Sequence, residues 1–203
     1  MKIQSIHLKH ILHFADLKVD FSYHDKPVTL ILGDQASGKT SILRFSYQAL
    51  TWFAARYKDL RSAGVVMLDH DIMLNRLQSK IDIQVAVPAE LYALKPTAAD
   101  TAPEPYTWQL YKTLNQQGIG ISRVETLELE QLVNLYQQAT LQDPLQGLPL
   151  IAYYPAERFV NEMNILSKNN PLIFQHAHAY EISAIPYTTF ARFFEWFREI
   201  SDI

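Results

Sequence analysis

The run Gly33-Asp34-Gln35-Ala36-Ser37-Gly38-Lys39-Thr40 places two glycines, a lysine and a hydroxyl at the spacing Gly-x4-Gly-Lys-Thr, with Ser41 behind them. Those residue types in that order suit one task, which is gripping a polyphosphate. Gly33 and Gly38 permit backbone angles that a Cβ resists, so the loop can turn its N–H groups inward around an anion. A helix opening directly after them adds free amides and the positive end of its dipole. Lys39 can bring a point charge to the outer phosphates and stabilise charge developing there in a transition state. The Thr40 hydroxyl is the candidate ligand for the accompanying Mg²⁺. The expected site is therefore residues Gly33 to Ser41 with ATP and Mg²⁺, set against a bland reading of the same residues as a ligand-free strand-to-helix turn.

The flanking sequence must position that loop. Pro27-Val28-Thr29-Leu30-Ile31-Leu32 reads as a buried strand of the kind found in parallel sheets. Ile42, Phe45, Ala49, Phe53 and Tyr57 fall near one helical face, which predicts a helix from Gly38 to about Leu60. Upstream, Lys2–Leu8 and Leu17–Phe21 alternate with the strand period and predict a hairpin. Downstream, Lys80–Val87 and Tyr106–Leu114 read as strands, separated by Leu94–Pro105, a Pro/Ala/Thr stretch that predicts a mobile loop. After a turn at Gln116–Gly120, Ser122-Arg123-Val124-Glu125 matches a capping box. It predicts a helix to about Gln138 with Leu129, Leu132, Val133 and Tyr136 inward. Leu148–Tyr154 reads as a buried strand rejoining the core sheet, Val160–Pro186 as a loop, and Thr188–Ile200 as a helix with Phe190, Phe193, Phe194, Phe197 and Ile200 on one stripe.

The fold class expected is thus α/β: a P-loop core with an N-terminal antiparallel hairpin, in a single domain over 1–203 carrying an inserted region at about 61–147. A chain of 203 residues with 48% apolar content can bury one full core. A net charge of −3 excludes a generally basic nucleic-acid coat but allows a local patch. No stretch reaches the roughly 18 apolar residues of a membrane span. The N-terminus carries Lys2, His7, Lys9 and His10 where a signal peptide needs an apolar run, so a cytoplasmic protein with no membrane partner is expected. The absence of cysteine excludes disulfides, thiolate catalysis and cysteine-bound metals.

Four further groups invite chemistry. His176 and His178 with Glu181 could begin a metal site, but a third ligand of fixed geometry is not nominated, and an irregular segment is the preferred reading. Asp69 and Asp71 could hold a cation, with solvated turn carboxylates preferred. Glu157 and Arg158, after an apolar run, are candidates for nucleotide or partner contact, against a local ion pair. The aromatic stripe near Arg192 and Arg198 suits a core or a subunit interface better than a base-stacking platform.

Taken with the phosphate loop, Ile6 through Phe21 resembles the start of ABC-type head ATPases related to RecF, OLD and SMC/Rad50. Thr51-Trp52-Phe53-Ala54-Ala55-Arg56, Leu150–Arg158 and Phe194-Glu195-Trp196-Phe197 are similar to a bacterial group of ATP-binding proteins, some of which belong to phage-defence modules such as Septu and certain retrons. The resemblance implies heads that sandwich ATP as a homodimer or larger assembly, a possible nuclease partner, and DNA. Members commonly carry Asn and then Arg in the first turn, where His10 and Leu12 stand here, and Asn and Gly where Gln35 and Ala36 stand.

Such heads also need a signature motif and a Walker B strand closing in acidic residues. Neither is found; Val65-Val66-Met67-Leu68-Asp69 is the nearest mimic, followed by His70 in place of a second acid. The expectation is an N-terminal portion of a longer or split ATPase that binds nucleotide better than it hydrolyses it. Two rivals stand beside it. One is a small P-loop kinase drawing on Arg56, Arg61, Arg76 and Arg158; the other is a nucleotide-sensing module without turnover.

Overall fold

A computed structural model describes residues 1–23, 28–92 and 104–155. Its framework is one five-stranded antiparallel sheet in the order β2-β1-β3-β4-β5, with two long helices. The strands are β1 (Lys2–Ile11), β2 (Phe14–Asp20), β3 (Gln78–Ala86), β4 (Tyr106–Leu114) and β5 (Gly120–Glu125). The helices are α1 (Lys39–Lys58), α2, a single turn at Ala89–Tyr92, and α3 (Leu127–Gln142).

Period-two patterning decides the sheet. Ile6 and Leu8 of β1, Ile81, Ile83 and Val85 of β3, and Tyr106, Trp108 and Leu110 of β4 all point to one face and are buried. The register sets Ile6 opposite Ile83 and Ile83 opposite Trp108, so these rings and branched chains stack across three strands. The opposite face carries His7, Lys80 and Asp82, joined by surface pairs: His7 Nε2 to Asp16 at 2.6 Å and Lys80 Nζ to Asp82 at 2.8 Å. His7, as first cause, holds the Asp16 carboxyl below its ordinary range through that hydrogen bond. Exposed pairs of this kind contribute little to stability.

α1 and α3 cover the apolar face. Phe45, Ala49 and Phe53 of α1 and Leu129, Leu132, Val133 and Tyr136 of α3 are buried as their spacing predicts. Trp108 donates its indole N–H to Ala49 O at 3.0 Å, and Phe53 meets the Tyr136 ring edge-on at 5.4 Å. Burial pushes the Tyr136 hydroxyl up to about 12; burial, with Tyr153 adding, does the same for Tyr47.

Three predicted elements take another form. Residues 120–125 are strand β5, paired with β4 from Leu114↔Gly120 to Gln109↔Glu125, so Ser122–Glu125 is not a helix cap. The open edge of β4 offers a ladder of backbone bonds that outweighs a local capping motif, and the helix begins instead at Leu127 after Thr126. Glu128 and Glu130 in its first turn complement the helix dipole. Residues 28–32 and 148–154 hold no strand pairing, although their composition is that of buried strands. Val28, Leu30 and Leu32 are 74%, 76% and 81% exposed. The strands of the 61–147 region join the N-terminal hairpin in a single sheet through the β1–β3 pairing. The predicted loop and helix beyond 155, and most of Leu94–Pro105, lie outside the described residues.

Candidate functional site

The candidate phosphate loop runs directly into a twenty-residue helix, as its sequence predicts, but the residues that lead into it form no strand. Gly38 is the N-cap of α1 at φ 92, a left-handed conformation that L side chains resist. Space is also short there, and a side chain would have to displace two ring tips. A Cβ on Gly38 would lie 2.6 Å from His13 Nε2 and closer still to Phe14 Cζ. At Gly33 the demand is different: φ is not positive, and a Cβ would meet only the movable Ser37 hydroxyl, at 2.8 Å. Ala36 adopts φ 61, where a methyl costs roughly 1–2 kcal/mol relative to glycine.

The start of α1 is available to an anion. No side chain caps it and no acidic residue lies in its first turn, so the amides of Lys39, Thr40 and Ser41 have no competing carboxylate. Lys39 folds back over the loop, donating to Gly33 O at 2.8 Å, Asp34 O at 2.5 Å and Ser37 Oγ at 3.3 Å. Ser37 N–H donates to Asp34 O at 3.3 Å and closes the curl. Thr40 is exposed beside it. The donor set fits a polyphosphate: one ammonium, uncapped helix amides and a hydroxyl suited to Mg²⁺.

Other candidates fall elsewhere. Asp71 is fully buried, its Oδ1 accepting from Arg44 Nη2 at 2.5 Å and its Oδ2 from Leu68 N–H at 2.8 Å. Asp69 pairs with Lys112 at 2.9 Å. Asp71 is therefore a buried ion-pair partner, which corrects its reading as a solvated turn carboxylate, whereas Asp69, in the same turn, pairs with Lys112 but stays exposed to solvent as that reading expects. The segment Val65–Leu68 is not a strand, so it does not form a Walker B element; its Val65 backbone is tied to α1 through Trp52 Nε1 and Thr51 Oγ1. Of the arginines considered for a kinase lid, Arg56 lies over the Trp52 ring at 5.8 Å, and Arg158 lies outside the described residues. Glu157, His176, His178, Glu181, Arg192 and Arg198 lie outside them too. Among the described residues no group of three metal-ligating side chains forms, and no helix is long and apolar enough to cross a membrane.

Sequence reasoning missed His13, Phe14 and Arg44. The first two gain their place only because the β1–β2 turn folds onto Gly38, a contact spanning 24 residues that no local motif announces. Arg44 could have been noticed as the one charged residue of the helix between Lys39 and Arg56.

The family model described as AAA domain matches residues 5–198. The chain is 23% identical over 212 residues to the Retron Vc95 probable ATPase of Vibrio cholerae serotype O1 biovar El Tor, covering all of this chain and 38% of that protein. It is 24% identical over 214 residues to the Retron Ec83 probable ATPase of Escherichia coli, covering all of this chain and 35% of that protein. The chain thus spans little more than a third of the curated relatives it matches. A solved SMC ATPase, described by its ATP-driven dimerization and DNA-stimulated activation, aligns at TM-score 0.40 and 14% identity over 66% of this chain and 79% of its own. With the family model spanning the hairpin, the phosphate loop and both long helices, the chain belongs to the AAA domain family of ATPase-type proteins.

Proposed function

We propose that residues Gly33 to Ser41 bind Mg²⁺-ATP, and that in a complete, dimeric molecule the site hydrolyses it to drive DNA-directed repair or phage defence. The observation that carries the reading is that, among the described residues, no side chain caps the start of α1 and the loop's lysine is held only by the loop's own oxygens. A triphosphate would replace those oxygens as the partner of Lys39, and the helix amides would meet the phosphate charge with dipoles already aligned. Thr40 would hold Mg²⁺, which when bound supplies further neutralisation of the phosphate oxygens. His13 and Phe14 shield one side of Gly38 from water.

Hydrolysis needs a carboxylate to orient the attacking water. Asp69 and Asp71, the acids that follow α1 most closely after Asp59, are held by Lys112 and Arg44. That observation favours a second reading for these residues alone: binding that orders an interface, without turnover. A homodimer, a nuclease partner and DNA belong to the complete molecule in the first reading, as the resemblance to ABC-type heads and phage-defence ATPases implies.

Thermal melting with and without saturating Mg²⁺-ATP tests the binding site. Ligand at 100 times its Kd adds about 2.7 kcal/mol, and Lys39→Ala should remove that gain while leaving the unliganded melting temperature close to wild type. An equal shift in the variant would rule the assignment out. Phosphate release by the chain, compared with a longer natural form, separates turnover from sensing.

A further inference from the structure

The turn that packs on Gly38 is held by a device that the phosphate motif does not contain. His10 and Leu12, at the end of β1 and just past it, have φ of 54° and 51°. Two left-handed non-glycine residues within three positions persist only where their surroundings impose them. The imposing contacts come from residues 71–73. Leu12 N–H donates to Asp71 O at 2.8 Å, Met73 N–H to His10 O at 2.9 Å, and Ile11 bridges Ile72. Residues 71–73 are fixed in turn by the Asp71 carboxylate, which is fully buried and anchored to Arg44 on α1, five residues past Lys39.

These contacts close a circuit. It runs from α1 through Arg44 and Asp71 to Leu12, along the chain to His13 and Phe14, across to Gly38, and back into α1. We propose that the pairing of Arg44 with the buried Asp71 carboxylate is a positioning element for the phosphate loop, pressing the His10–Phe14 turn against Gly38 so that the loop keeps its anion-ready shape. The proposal rests on the nucleotide-binding reading above. Neither side chain is placed against the ligand; they act through the turn. A buried carboxylate stripped of its cation is strongly unfavourable, so loss of either partner frees residues 71–73 and removes the support for the turn.

The test measures Mg²⁺-ATP affinity by titration calorimetry at 15 °C on the full chain, together with circular dichroism and amide hydrogen exchange. Asp71→Asn and Arg44→Met should each weaken affinity at least tenfold with the far-ultraviolet spectrum unchanged, and Arg44→Lys should recover most of it. In the unliganded protein, amides of residues 33–38 in Asp71→Asn should exchange at least tenfold faster while those of β3 and β4 keep their protection. A purely structural pair would lower melting temperature and leave affinity at 15 °C within twofold of wild type, which overturns the proposal. Should neither charge-removing variant fold, Leu12→Pro replaces them; proline cannot adopt φ 51 and lacks the N–H that donates to Asp71 O, so it loosens the turn with the ion pair intact, and at least a threefold loss supports the clamp while unchanged affinity overturns it. If wild type takes up no Mg²⁺-ATP, the binding reading falls, and the exchange rates alone judge the clamp.

Discussion

The two sides of α1 are built from similar residues and meet different fates. Facing the sheet, Phe45, Ala49 and Phe53 lie against strands whose backbone groups are paired from β2 to β5. By the phosphate loop, residues 28–32 are as apolar as any strand of that sheet, yet no strand pairs with them among the described residues and Val28, Leu30 and Leu32 lie open. The contrast teaches that apolar composition specifies a buried strand only where a partner supplies both hydrogen bonds and a covering layer. It also sets the candidate loop beside an unpaired segment, where backbone can reorganise without breaking the sheet.

The sharpest way to break this contrast is to attack the sheet side. Trp108→Ala removes a buried ring and its bond to Ala49 O, and should cost about 3–5 kcal/mol in urea unfolding. A loss below about 1 kcal/mol would mean that the sheet does not dominate stability. On the loop side, Gly38→Ala forces a methyl towards His13 and Phe14 at φ 92. We expect a stability cost of about 1–3 kcal/mol and disappearance of the Mg²⁺-ATP melting shift. A retained shift would show that the turn does not press on the loop.

Tyr136 and Tyr47 give a matched pair, one packed against Phe53 and one stacked on Tyr153 at 4.8 Å. Both hydroxyls are raised to about 12 by burial. A raised tyrosine pKa gives stability that is complete below the unfolded value near 10 and is lost as pH climbs towards 12. Unfolding free energy should therefore fall from pH 10 to 12, each tyrosine contributing on the order of 2 kcal/mol, and Tyr136→Phe and Tyr47→Phe should each flatten the fall. If only Tyr136→Phe does so, the Tyr47–Tyr153 contact opens before the Phe53–Tyr136 contact. Smallest of all, Leu30→Ser should change stability by less than about 0.5 kcal/mol, as an exposed position does. A cost above about 2 kcal/mol would show that the side chain is covered in solution.

Local patterns carried much of the architecture. The hairpin, β3, β4 and the inward faces of α1 and α3 were legible because alternation and 3.6-residue spacing directly encode which side chains a core must take. The same logic failed at Ser122–Glu125, where four residues match a cap but the vacant edge of β4 claims them. It failed again at residues 28–32, where the partner that a strand needs is not a property of the strand's own sequence.

The candidate phosphate loop, its lysine and the helix behind it are legible in the sequence alone, because glycine tolerance, a point charge and a helix N-terminus act over a few adjacent residues. Only the tertiary structure decided that His13 and Phe14 lean on Gly38, that Asp71 is buried on Arg44, and that Asp69 answers Lys112. Those contacts join residues 24, 27 and 43 positions apart, and their energies depend on desolvation and shape that exist only once the sheet and helices have closed around them.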